Sequence, residues 1–197
     1  MTIRDARSAL YAAYRLAADV ASRIRSTQLE LATPCPAFDV AALVDHLVGA
    51  GERAVALGRG ETPTGEDFPH VALAEAPDHL RRAGRDAAAA WADDGRLAAT
   101  ITMPWGESYT GSDLVDMYLA ELATHAWDLA TATNQHLGDE ELAATALEAA
   151  RAIVRPEYRN LAGEGSPFGS EVEAPAGATA WERLAAFMGR PPRRVLV

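Results

Sequence analysis

The sequence predicts an all-α fold: a four-helix bundle with a small β-hairpin between the third and fourth long helices and a short C-terminal helix. Two observations lead there. Apolar residues make up 49% of the 197, many of them alanine with few β-branched runs, and they recur at intervals of three and four over several long segments. Proline and glycine fall mainly between those segments, where they punctuate rather than interrupt. A chain of this length fills one core and is too short for two ordinary domains, so 1–197 is expected to be one domain with a C-terminal extension from about 156 to 197.

Taken in order, the first helix is predicted over about 2–25, where Ile3, Ala6, Leu10, Ala13, Tyr14 and Ala17 share a face. Pro34 and Pro36 cannot continue it, and Asp39 offers a side-chain cap for a second helix, about 40–57, with Leu43, His46, Leu47 and Ala50 together on one side. The Gly-, Pro- and acid-rich stretch 58–69 reads as a surface loop. A third helix is expected from Pro77 to Asp93, with proline at its start and Asp94-Gly95 at its end. Ala99–Met103 alternates and is rich in β-branched residues; with Pro104-Trp105-Gly106 and Glu107–Thr110 it makes a hairpin. Gly111-Ser112 then caps the fourth long helix, extended to about Asn134, and Asp139 caps a fifth, to about Val154. Residues 156–178 read as loop and 179–188 as a short last helix.

Charge excludes one class of partner. Acidic residues outnumber basic ones 28 to 18, for a net charge of −10, and no run of arginines stands free of intervening acids, so a sequence-independent grip on nucleic acid is not expected. Every basic residue is arginine, which with the alanine excess points to a GC-rich bacterial genome. No stretch is long and apolar enough for a bilayer, and Met1–Arg7 lacks the core of a signal peptide, so a cytoplasmic protein without a membrane partner is expected. The lone Cys35 excludes an internal disulfide and a multi-thiolate zinc site.

The informative segment is Glu121-Leu-Ala-Thr-His125-Ala-Trp-Asp128. On a helix, Leu114, Tyr118, Glu121, His125 and Leu129 line one inward stripe. A carboxylate and an imidazole there are costly to desolvate unless paired, hydrogen-bonded or bound to a metal. A catalytic metal needs a third protein ligand. His70 lies in the polar loop, His79 among charges and His136 beyond a helix end, which leaves His46 on the inward face of the second helix. The candidate ligands are therefore His46, Glu121 and His125, with water or substrate completing an open shell. Spacing alone leaves another reading: a Glu121–His125 ion pair beside a core histidine.

The neighbours are equally two-sided. Asp128 either orients an imidazole from behind or is a solvated helix residue. Tyr118 and Met117 line a pocket above the site or simply fill core. Arg53, two turns beyond His46, meets an anionic ligand or pairs with a nearby acid, and Asp45 points elsewhere. Cys35 precedes a helix start, where a thiolate is favoured, but between two prolines and with no histidine within a turn it reads as a packed small residue. Two imidazoles and a carboxylate suit zinc first, and also nickel, iron or cobalt.

Thr33-Pro-Cys-Pro-Ala-Phe38-Asp-Val40, Asp45-His-Leu47 and Glu121–Ala130 resemble the DinB-like metal-binding proteins of actinobacteria related to mycothiol-dependent maleylpyruvate isomerase. Ser166–Gly169 and Arg183–Arg190 resemble the end of an uncharacterised branch of that family. The resemblance implies a DinB-like bundle with one divalent metal on His46, Glu121 and His125, whose open position receives the thiolate of mycothiol. Phe38 stands where many relatives have tryptophan. The isomerase carries a further domain supplying a catalytic arginine, which this chain is too short to contain, so the isomerisation of maleylpyruvate itself is not expected to carry over. The leading expectation is an enzyme that activates a low-molecular-weight thiol for transfer to, or isomerisation of, an electrophilic small molecule. Its alternatives are a thiol-independent metal hydrolase or biosynthetic enzyme, and a non-catalytic metal- or ligand-binding protein. A homodimer is a further candidate assembly.

Overall fold

The computed structural model describes residues 5–62, 70–103, 106–156, 159 and 169–191. Among these, four long helices form the bundle: α1 (Arg7–Ala21), α2 (Val40–Arg59), α3 (Ala76–Ala90) and α5 (Gly111–Ala132). They close a ring in the order α1, α3, α2, α5, so that α2 and α5 are neighbours although far apart in sequence. A one-turn helix α4 (Asp94–Ala98) and the strands β1 (Thr100–Thr102) and β2 (Ser108–Thr110) link α3 to α5, and α6 (Glu140–Ile153) and α7 (Ala180–Phe187) pack outside α5. The strands are antiparallel, with Ile101 opposite Tyr109. The fold is the expected all-α bundle with its hairpin.

Caps explain the element boundaries. Asp39 and Asp139 accept hydrogen bonds from Ala42 N (2.8 Å) and Leu142 N (3.0 Å), as the sequence predicts for α2 and α6. The predicted cap of α5 is corrected by one residue. Thr110 fills that role: its hydroxyl accepts from Asp113 N (3.1 Å) while the Asp113 carboxylate takes Thr110 N–H (2.9 Å), a reciprocal box that glycine cannot make. Also corrected is the end of α1 at Ala21, before a 3-10 turn at Ser26–Gln28, and the separate turn α4 where the reading had α3 running to Asp93. The predicted helical start at residues 2–4, most of the 58–69 loop, Pro104-Trp105 and Ser166–Phe168 lie outside the described residues.

Alanine makes the bundle tight. Ala13, Ala17, Ala120, Ala123, Ala126, Ala143 and Ala146 are all buried, so backbones approach closely where larger side chains would hold them apart. Tyr14, fully buried, ties two helices together by donating its hydroxyl to the Gly51 carbonyl at 2.7 Å. Every residue from Leu122 to Ala130 is buried, because α5 has the ring on one side and α6 and α7 on the other. Among the described residues no helix is long and apolar enough to cross a membrane.

Candidate metal centre

The ring order brings the inward face of α2 against the inward stripe of α5, and with it His46 against Glu121 and His125. His46 Nε2–H donates to Glu121 Oε1 at 2.8 Å, and His125 Nε2 stands 3.6 Å from the same oxygen. The two imidazole rings lie edge to face, 4.9 Å between centroids at 83°. A ligand atom from each of the three falls within 4.8 Å of the others. Donors sharing one tetrahedral ion at about 2.0–2.2 Å sit about 3–4 Å apart, a range that holds the His125–Glu121 separation and lies just above the His46–Glu121 one, so these donors suit a divalent cation in spacing and type. Side-chain exposure grades from 7% at His125 through 15% at His46 to 28% at Glu121, so the cluster is closed from below and reachable from the Glu121 side.

The Thr33–Asp39 segment roofs the imidazoles. Pro34 and Pro36 restrict its backbone, and the Thr33 hydroxyl lies 2.9 and 2.8 Å from the carbonyl oxygens of Cys35 and Phe38. The ring of Phe38 is thereby stacked on His46 (4.7 Å, 30°) and set edge-on to His125 (6.2 Å, 85°). The roof thus covers one side of each ring with an aromatic face.

Behind His125 lies a buried relay. His125 Nδ1–H donates to Asp128 Oδ2 at 3.0 Å, which fixes the proton on that nitrogen and turns Nε2 toward Glu121. Asp128 is fully buried, so the solvated reading of it is corrected. Its charge is met by Arg190, whose Nη2 and Nε stand 3.0 and 3.3 Å from Oδ2 and whose Nη1 donates to Met188 O at 2.8 Å. Gly189, with φ of 80°, makes the left-handed turn that ends the last helix and sends Arg190 inward. Cys35 joins the same group, with its sulfur within 4.8 Å of ligand atoms on His125 and Asp128. The absence of a nearby histidine, read along the chain, does not hold in space.

Charge follows this geometry. Burial alone would raise the Glu121 carboxyl, but the charge and hydrogen bonds of His125 and His46 outweigh it and hold the group well below the carboxylate range. Burial likewise works against a charged His125, yet Glu121 and Asp128 on its two sides push it up to about 9. Burial raises the Cys35 thiol, with Arg190 pulling the other way.

At the rim, one turn before Glu121, Tyr118 is buried and its phenol is raised by desolvation, partly opposed by the charge and hydrogen bond of Arg53. Arg53 is thus set over Tyr118, on the α2 face that carries His46. Met117 is half-buried against the core. The remaining histidines pair elsewhere or lie at the surface: His70 with Asp45 at 3.0 Å, His79 with Glu52 at 3.2 Å, and His136 exposed. Sequence reasoning missed Arg190 and gave Phe38 no role. The available signal for Arg190 was Asp128 itself: a carboxylate on a helix turn buried all round demands a cation, and in a lysine-free chain that cation is arginine.

Residues 10–130 match the family model described as the mycothiol maleylpyruvate isomerase N-terminal domain. The uncharacterized proteins MT0763 and Rv0738 of Mycobacterium tuberculosis, from strains CDC 1551 / Oshkosh and H37Rv, are each 36% identical to the chain over 177 residues, 87% of this chain and 90% of theirs. No solved structure matches the chain.

Proposed function

The chain belongs to the mycothiol maleylpyruvate isomerase N-terminal domain family, and from that premise we propose that His46, Glu121 and His125 hold one divalent cation, zinc before nickel, iron or cobalt. The reaction class we infer is addition of a low-molecular-weight thiol, mycothiol in such organisms, to an electrophilic carbon of a small molecule. Transfer follows when the adduct is kept, a proton going to the adjoining carbon of an alkene, or, for an aryl halide, when chloride leaves; expulsion of the sulfur after bond rotation gives isomerisation. The observation that carries this reading is the shared carboxylate oxygen, with two imidazole nitrogens from two helices 2.8 and 3.6 Å from it.

A divalent cation held there supplies a lowered thiol pKa, which makes a sulfur nucleophile available near neutral pH. The chain's own residues do the rest. Asp128 keeps a proton on His125 Nδ1, so that the lone pair of Nε2 faces the site. Phe38 covers part of the two rings and holds their planes. Tyr118 stays protonated because burial raises its phenol, and with the Arg53 guanidinium it offers donors to an anionic group on the thiol or the electrophile.

The test is turnover of a panel of electrophiles, including chlorodinitrobenzene and cis-unsaturated diacids, by the zinc-loaded and the chelated protein, with and without mycothiol. The reading expects product only where both metal and thiol are present. Equal turnover by the chelated protein, or turnover indifferent to the thiol, contradicts it.

A further inference from the structure

Helices α1 and α3 leave a second concavity, of about 450 Å³, that shares no residue with the metal centre. Three guanidinium groups line it, those of Arg15, Arg81 and Arg85, against one carboxylate, Asp19. Arg81 is already answered, at 3.5 Å from Asp19 and 3.2 Å from Asp78. Arg15 and Arg85 make no hydrogen bond or ion pair among the described residues, which leaves two uncompensated positive charges facing one cavity in a chain of net charge −10. The floor is apolar. It is made by the partly buried Tyr11 ring, by Gly84, which has no side chain, and by Ala88, with the buried Tyr14 packed against Gly84 beneath them. Tyr11 and Asp19, two turns apart on α1, mark the ends of a slot about 12 Å long.

We propose that this slot is a binding site for a small aromatic carboxylate, with the carboxylate between Arg15 and Arg85 and the ring on the floor of Tyr11, Gly84 and Ala88. Guanidinium forks match carboxylates and also stack on flat rings, so the two arginines suit both parts of such a molecule. A simple inorganic anion would leave the apolar floor uncovered, and a neutral aromatic would leave the charges unanswered. The volume lies within the usual range of small-molecule sites. The site stands independently of the proposed metal chemistry.

The test uses the full-length protein with three probes, 2-naphthoate, its neutral analogue 2-naphthamide and inorganic phosphate, followed by calorimetry and by amide chemical-shift mapping. Saturable naphthoate binding is expected, with shifts on α1 and α3. Binding should fall at least about tenfold for the amide, for phosphate and for the surface double variant Arg15→Glu/Arg85→Glu, while Arg82→Glu, on α3 outside the slot, leaves it unchanged. The proposal is overturned by no saturable binding at millimolar naphthoate, by equal binding of amide or phosphate, by an equal loss in Arg82→Glu, or by shifts centred on residues 38, 46, 121 and 125.

Discussion

Arg190 and Asp128, 62 residues apart in sequence, form a salt bridge in which the guanidinium Nη2 and Nε lie 3.0 and 3.3 Å from one carboxylate oxygen, and both side chains are buried. The arginine lies beyond residue 130, where the family match ends, yet it neutralises the residue that orients His125. The candidate metal centre therefore draws on the C-terminal segment as well as on the bundle.

Breaking that pair strands a buried charge. Arg190→Met should lower the unfolding free energy by about 3–5 kcal/mol in urea titrations, and Arg190→Met/Asp128→Asn should regain part of it because no naked carboxylate remains. A loss under about 1 kcal/mol for the single variant would show the pair to be dispensable.

Asp128→Asn, with Arg190 intact, removes the charged acceptor behind His125. Zinc affinity measured against a chromophoric chelator should drop about 10- to 100-fold, the usual effect of losing the partner that orients a histidine ligand. Unchanged affinity would mean that the His125 ring is held by packing alone.

The metal-free protein should have a pH dependence set by the same cluster. His125 is raised to about 9, above its ordinary value, so its contribution is complete below about 6.5 and is lost as pH rises through 9. Glu121 is depressed, so its contribution is present above about 4.5 and disappears as pH falls. Chelated protein should therefore be most stable between about pH 5 and 6.5, and lose up to about 3 kcal/mol by pH 10 in denaturant titrations. Zinc affinity should climb over the same interval, since binding displaces the His125 proton. A flat stability profile from pH 6 to 10 would contradict the assigned cluster.

Phe38 offers a gentler probe. Phe38→Trp keeps an aromatic face on His46 and should hold zinc affinity within about threefold, whereas Phe38→Ala opens the imidazoles to water and should cost about 1–3 kcal/mol of stability. Equal stability of the alanine variant would remove the roof from the account.

What could be read from the sequence was local. Helical periodicity, the caps at Asp39 and Asp139 and the inward stripe through Glu121 and His125 all depend on neighbours within a few positions, and His46 followed because the other histidines sat in polar surroundings. Contacts between distant segments carry no such signature. Arg190 on Asp128, Cys35 beside His125, and Arg15 and Arg85 lining one concavity arise only when helices are set side by side, and no spacing along the chain records them. The cap at Thr110 was missed for a different reason: Gly111-Ser112 also carries helix-start residues, and only the reciprocal bond with Asp113 decides between them.

The central claim is one cation held jointly by α2 and α5. The direct measurement is elemental analysis and zinc titration of protein purified without a histidine tag, beside the single variants His46→Ala, Glu121→Ala and His125→Ala. The account predicts one zinc per chain, with affinity lost in each variant, including the one on α2. Protein that takes up no divalent metal, or a His46→Ala variant that binds zinc as tightly as the parent, would contradict it.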